Sequence, residues 1–417
     1  MTAGLPPAVV ARLLAGVADA DAAVRRDWPG APSGRQPVQV LYLPADRVTA
    51  TTVSDVGAEA ARLLDEHAPD AATVAEVFAV RPELAAAVRS QVAAKLAGEP
   101  LEDLRVDFED GYGDRGDDVE DRDAAAAAAA LAAAASAGAL PPFVGLRVKP
   151  FCDGAAPRSV ATLDRFLGAY LERAESLPAS LVITFPKVVA AAHVAAFAEV
   201  LAALEDAHGL ASGRLGFEAQ IETTQSLLGA DGRIVLRDLR AAAAGRLRGA
   251  HVGVYDYTAA IGLPPAEQRL AAPALDLVRQ LLQATFAGTE VRLADGSSNA
   301  VPADDSTAEV HRVWRRHAAD VRHSLRAGYV QGWDLHPSHL VSRYATVFAF
   351  LLDGIDDVLE RLARWHRGDT GGVLDEPATV RALRAQVQRA VDCGALTPQV
   401  VRERTGLDVT PRGPSPA

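Results

Sequence analysis

Strand-like segments that alternate with helical stretches predict a (β/α)8 TIM barrel with helical extensions at both ends. Two further observations support this reading: charge gathers at the C-terminal ends of those strands, and apolar and polar side chains alternate within them. The clearest segments are 104–110 (LRVDFED), 143–149 (FVGLRVK), 181–187 (LVITFPK), 215–222 (LGFEAQIE) and 251–256 (HVGVYD). Strands alternating with helices imply a parallel sheet. Charge at one end of successive buried strands is not a packing requirement. It is what a barrel needs to build a site on its C-terminal rim.

Taken in order, residues 1–36 read as an N-terminal helical extension, with a helix over 7–27 and a turn-rich stretch (WPGAPSGRQP). The barrel domain spans 37–350. Its first strand lies at 38–43, ended by Pro44, and the helical region 53–97 breaks near Pro69 and Pro82. The run 123–137 is almost pure alanine, the best intrinsic helix former, and reads as the helix between the second and third strands. Further helices are predicted at 158–176, 190–207, 223–229, 233–245, 266–287 and 306–326. The seventh strand, near 290–293, is the weakest, and the last lies at 329–335. Residues 351–417 form a C-terminal helical extension whose tail (TPRGPSPA) reads as disordered; the helical pattern runs over 338–405. An open doubly wound sheet is the alternative to a closed barrel. No internal repeat is present.

Side-chain parity sharpens the reading. Leu215, Phe217, Ala219 and Ile221 share one face, and Gly216, Glu218, Gln220 and Glu222 the other. Val144, Leu146 and Val148 oppose Gly145, Arg147 and Lys149. Val330, Gly332, Asp334 and His336 share a face. The apolar face belongs to the helices and the polar face to the barrel interior.

A hydrophobic fraction of 49% in 417 residues is ample for a core. The formal net charge of −12 argues against nucleic acid and anionic membranes as partners. Anionic substrates stay open, because a bound metal inverts the local field. Cys152 and Cys393 make neither a disulfide framework nor a thiolate metal site, which suits a reducing cytoplasm. No apolar run has the length of a membrane span, and no signal peptide is evident.

Several segments carry chemistry. Glu222, in AQIETTQS, stands at a strand end before a helix start. It reads as a metal ligand or as a helix-neutralising carboxylate, with Thr223 or Thr224 as cap. Asp256, in GAHVGVYDYTAAIG, reads as a second ligand or a turn aspartate. Two carboxylates are the usual protein share of a Mg²⁺ site. RVDFEDGYGDRGDD formally matches the dinucleotide fingerprint at Gly111, Gly113 and Gly116. Glu109, Asp110, Asp114, Asp117 and Asp118 would face the pyrophosphate there, so that reading is rejected. Acidic residues holding the water ligands of a metal fit better, while most of 114–123 reads as a solvated acidic helix start. Arg147 and Lys187 are the candidate cations. A planar guanidinium suits a carboxylate ligand, and an internal salt bridge with Glu109 or Glu218 is the alternative. His336 and His339, in GWDLHPSH, form a weak metal pattern. Packing or capping fits better, and a general acid/base role for His336 stays open.

The ordered set LYLPADR, VDFEDG, LRVKPF, TFPKV, IETTQS, GVYDYTAAIG and GWDLHPSH resembles the HpcH/HpaI aldolase and citrate lyase β-subunit superfamily over roughly residues 38–350. That superfamily includes malyl-CoA lyases and lies near malate synthases. The resemblance implies a β/α barrel, trimers or hexamers, and Mg²⁺- or Mn²⁺-dependent carbon–carbon bond chemistry next to a carbonyl. It implies that Glu222 and Asp256 ligate the metal and that Glu109 and Asp110 contact metal-bound water. Arg147 would bind the substrate carboxylate and the developing enolate oxygen. Lys187 would be a rim residue, and His336 would lie toward the acyl or cofactor side. Two cations usual in citrate lyase-like members are missing, near Val38 and at Tyr329 or Val330. Inserts near 67–100 and 290–305 also set this chain apart as a divergent member.

The function these readings predict is metal-assisted cleavage or formation of a carbon–carbon bond in a small anionic substrate, a 2-oxo acid or acyl-CoA. Phosphotransfer through a phosphoenolpyruvate or pyruvate enolate competes, although no phosphate cradle is evident. A catalytically silent lyase-like subunit is the remaining alternative.

Overall fold

Eight short runs rich in Val, Leu, Ile and Phe form strands: β1 (Gln39–Pro44), β2 (Asp103–Asp107), β3 (Phe143–Arg147), β4 (Val182–Phe185), β5 (Gly216–Ile221), β6 (Leu247–Val252), β7 (Arg292–Ser297) and β8 (Gln331–Asp334). The computed structural model describes residues 4–369 and 376–414. Every strand pairs in parallel with its sequence neighbour, and β8 pairs with β1 through Gln39↔Gly332, Val40↔Trp333 and Leu41↔Asp334. The sheet is therefore a closed (β/α)8 barrel, not an open doubly wound sheet.

The N-terminal extension carries α1 (Pro7–Leu13) and α2 (Val17–Asp27), separate helices where one over 7–27 was expected. Gly16, a poor helix former, marks the break. Between β1 and β2 lie α3 (Thr52–His67), α4 (Ala71–Val77) and α5 (Pro82–Gly98). Asp70 caps α4 by accepting from Thr73 N at 2.8 Å, and Pro82 opens α5. The alanine run forms α6 (Asp117–Ser136), whose small buried side chains lie against α7 (Ala156–Leu171). Next come α8 (Ala191–Ala207), α9 (Leu236–Ala242), α10 (Val254–Ala260), α11 (Ala274–Phe286), α12 (Thr307–Arg326) and α13 (Pro337–Leu352). The C-terminal extension adds α14 (Ile355–His366), α15 (Pro377–Cys393) and α16 (Pro398–Thr405).

Three further expectations are corrected. The helix expected at 223–229 is only a 3₁₀ turn, Thr224–Ser226, capped by Thr223. The seventh strand starts later than expected and has an irregular register between Ala294 and Ser297. The tail is tied down over its described part. Gly413 O accepts from Arg35 N at 2.9 Å, and Arg412 pairs with Asp392 at 2.6 Å. Residues 415–417 lie outside the described residues. No described helix is long and apolar enough to cross a membrane.

The parity argument holds for most of the barrel. Phe185 and Phe217 point outward and meet Phe197 of α8, with ring centroids 4.2 and 5.3 Å from it. Arg147, Glu218 and Gln220 point inward. Lys149, placed inside by parity, lies past the end of β3 and turns to Glu120 of α6 at 2.7 Å. In β8 the expected assignment is reversed. Trp333 fills the barrel interior, stacked on Tyr42 at 3.8 Å, while Gly332 and Asp334 face the helices. The cause is α13 and α12, which offer Asp334 a buried Arg343 at 2.8 Å and the ring of His317 at 3.3 Å. A carboxylate is stable on the outer face only with such partners.

His339 joins this layer, fully buried, with Nε2 2.7 Å from Ala300 O and Nδ1 accepting from Leu335 N at 3.3 Å. Burial, aided by His317, pushes its imidazole down to about 3. The native ring stays neutral between that value and the ordinary value of about 6.5, whereas the unfolded chain takes up a proton. Stability is therefore present above about pH 6.5 and lost as pH falls toward 3. Urea denaturation should show about 2 kcal/mol less stability at pH 5 than at pH 7 from this group. The His339→Gln variant should lose that part of the slope; an unchanged slope would contradict the assignment.

Candidate active site

The turn after β2 organises the rim. The Asp107 carboxylate accepts from Glu109 N and Gly111 N, each at 3.0 Å. A Cβ at position 111 would stand 2.5 Å from Asp107 Oδ2, so a side chain there would push the carboxylate aside. Asp107 also takes the Arg147 guanidinium bidentately, Nε to Oδ1 at 2.7 Å and Nη2 to Oδ2 at 2.6 Å. Arg147 Nη1 lies 3.0 Å from Glu109 Oε2, and the guanidinium sits over the rings of Tyr42 and Trp333. The internal salt bridge anticipated for Arg147 thus exists with Glu109. Glu218 pairs instead with Arg105.

Lys187 follows β4 in a left-handed backbone conformation, φ 47°, uncommon for a residue with a side chain. That conformation turns its N–H onto Glu222 Oε1 at 2.7 Å. Its ammonium reaches Glu109, Asp110 at 3.1 Å and Asp256 at 3.2 Å. Three carboxylates therefore meet the ammonium, and a fourth, Glu222, accepts from the backbone N–H of the same residue. Burial pushes the Glu222 carboxyl up to about 8; Lys187 opposes the rise, and the like charges of Asp256 and Glu109 add to it.

Glu222 is buried and follows β5 directly. It is no helix cap; its partners are Lys187 N and the Gln220 amide. Asp256 is not at a strand end. It stands in the first turn of α10, partly exposed, and leans back to Lys187. Gly253 makes this approach possible, because a Cβ there would collide with the Glu222 side chain.

A cavity of about 380 Å³ opens on these groups. Asp107, Asp110, Arg147, Gln220, Glu222 and Asp256 line it, with Tyr42 and Trp333 from the barrel interior and Arg47, Tyr255 and Asn299 from the rim. Tyr255 Oη lies 3.3 Å from Ser297 O and accepts from Asn299 N at 2.6 Å, which fixes the loop after β7.

Of the residues singled out from sequence, Glu109, Asp110, Arg147, Lys187, Glu222 and Asp256 come together. His336 does not. It caps α13, accepting from Ser338 N at 3.2 Å, and is absent from the cavity wall, where Leu335 stands. The GYGDRG loop places Arg115 against Asp46 at 2.8 Å, which is no phosphate cradle. Sequence reasoning passed over Asp107, although it alternates with Arg105 along β2. It also passed over Arg47, Tyr42 and Trp333, whose positions carried no chemical signal. A buried group of His317, Asp334 and His339 has ligand atoms within 4.8 Å of one another, but Arg343 already counters its one carboxylate.

The close approach at Gly253 is testable. Gly253→Ala should destabilise the fold by about 1–3 kcal/mol in urea denaturation, because backbone and Glu222 must separate. Unchanged stability would show that the approach is loose.

The chain is also similar to solved structures of malate synthase from Haloferax volcanii. The native form at 3 mM glyoxylate is 14% identical, with 90% of this chain and 97% of that chain covered and a TM-score of 0.47. The pyruvate/acetyl-CoA ternary complex gives the same values. The magnesium/glyoxylate complex is 15% identical, with 88% and 95% covered and a TM-score of 0.45. Likeness at this level says nothing of what the chain acts on, and the barrel topology stands on its own strand pairing. No curated protein matches the chain. Residues 17–411 match the family described as Domain of unknown function (DUF6986), and the chain belongs to that family.

Proposed function

We propose that this protein is a divalent-metal-dependent enzyme that cleaves or forms a carbon–carbon bond next to a carbonyl, of the aldolase or citrate-lyase type. The observation that carries the reading is the convergence of Glu109, Asp110, Glu222 and Asp256 on one cation position beside a cavity containing Arg147. Glu222 is held near its protonated form by burial and neighbouring carboxylates, so the site favours a further positive charge. Oxygen ligands in this number fit Mg²⁺ or Mn²⁺.

A divalent ion held by Glu222 and Asp256 would supply a Lewis acid for the carbonyl of a 2-oxo acid or acyl thioester. The protein's own groups do the remaining work. Arg147, immobilised by Asp107, presents fixed positive charge where an enolate oxygen develops. Arg47, exposed on the rim, is engaged by none of the ion pairs that hold Arg147 and Lys187, and receives the substrate carboxylate. Glu109 keeps both Arg147 and Lys187 in place. Tyr42 and Trp333 floor the cavity and keep bulk water from below.

Lys187 favours a second reading, in which the lysine itself is the resident cation and no metal enters. Calorimetric titration of Mg²⁺ and Mn²⁺ into chelator-treated protein, with and without pyruvate, separates the two. Saturable metal binding, weakened at least about tenfold in Glu222→Gln and Asp256→Asn, supports the metal enzyme. Metal binding seen only in Lys187→Met supports the lysine reading. Binding indifferent to both carboxylate substitutions overturns the proposed site.

A further inference from the structure

The wall of the upper cavity, at the C-terminal rim, falls into two halves. On the side that runs from β2 to α10 every charged side chain already has a partner. Asp107 holds Arg147, and the Asp110 and Asp256 carboxylates meet Lys187. Glu222 accepts from Lys187 N and from the Gln220 amide. These groups form the reacting end of the site and hold one another in place.

The other half runs from β7 through β8 to the turn after β1. Ser297, Asn299, Trp333, Leu335 and Arg47 form it. It is continuous, because β7 pairs with β8 and β8 with β1. Among the described residues, the side chains of Asn299 and Arg47 make no hydrogen bond or ion pair. Their donors are left for a ligand.

The loop that carries Asn299 is nevertheless fixed. Tyr255 Oη donates to Ser297 O at 3.3 Å and accepts from Asn299 N at 2.6 Å. His339 Nε2 lies 2.7 Å from Ala300 O. Ser298 and Ala300 are buried, and between them Asn299 is exposed. A backbone held at three of four positions, with one amide left open to the cavity, is the construction of a recognition residue.

The chemistry of that amide narrows what it reads. Arg47 offers only donors, which suit a carboxylate. A carboxamide both donates and accepts, and the small group that uses both is a hydroxyl. The cavity, at about 380 Å³, lies at the small end of the range for ligand sites. A short acid therefore spans it, with one end at the carboxylate cluster and the other at Asn299 and Arg47.

We propose that Asn299 is a specificity-determining residue that reads a hydroxyl beside the distal carboxylate of a short substrate acid, the carboxylate resting on Arg47. The inference rests on the proposed metal enzyme, since it needs the other end of the acid held at Glu222 and Asp256. The test is calorimetric titration of the full chain, with Mg²⁺ present, by malate, tartrate and oxalate. Malate and tartrate offer the same 2-hydroxy carboxylate to the metal position. They differ at the far end, where tartrate adds a hydroxyl beside the carboxylate. Oxalate has no far end. One tartrate enantiomer should bind about tenfold more tightly than malate, the worth of one hydrogen bond. Asn299→Ala, at an exposed position, should remove that ratio and leave malate and oxalate within about twofold of the parent protein. Arg47→Gln should weaken malate and tartrate alike and keep the ratio. A ratio near one in the parent protein, or one that survives Asn299→Ala, overturns the inference; oxalate binding that is lost in Glu222→Gln then shows that the metal enzyme stands without it. Oxalate that fails to bind, or binds unchanged in Glu222→Gln, overturns the metal enzyme and the inference together.

Discussion

The buried pair between Asp107 and Arg147 is the constraint on which the upper rim depends. It joins the ends of β2 and β3, and through two backbone hydrogen bonds it shapes the turn that presents Glu109. Glu109 in turn holds Lys187, and Lys187 holds Glu222 through its backbone and Asp256 through its ammonium. Removing one partner of a buried pair typically costs about 3–5 kcal/mol, because the other charge is left uncompensated. Here the loss would spread along a chain of contacts spanning β2 to α10.

Charge balance distinguishes the two ends of the barrel. At the C-terminal rim carboxylates outnumber the cations they surround, and Glu222 responds by holding its proton more tightly. At the N-terminal mouth the carboxylates of Asp103 and Glu290 are matched by Arg105 and Arg240. Between the ends, Val40, Tyr42 and Trp333 form a small apolar plug inside the barrel, apart from the main core between sheet and helices. The Tyr42 hydroxyl still meets Thr184 at 2.9 Å, and Thr184 meets Arg105 at 3.2 Å. A polar path thus runs beside the plug.

Much of the barrel was legible before any coordinates. Alternation within 143–147 and 215–222 separates the two faces because side chains on a strand point to opposite sides. Carboxylates and cations in such segments stand out because charged side chains are seldom buried unless paired. In β8 alternation alone does not suffice. Its alternation is real, but parity says only which residues share a face, and the helix-borne Arg343 and His317 decided which face is inside. Asp256 was found by its motif, yet its place on α10 depends on a chain reversal at Gly253 that periodicity does not describe.

By itself the sequence determined the parallel strand–helix alternation, the polar interior and six residues of the upper site, because each is written in local pattern. Closure of the sheet, the assignment of Asp107 to Arg147 and the exclusion of His336 were decided only in three dimensions. So was the meeting of the two extensions at the N-terminal mouth. These depend on contacts between residues far apart in the chain, such as Gln39 with Gly332 or Arg412 with Ser33, whose geometry no local pattern encodes.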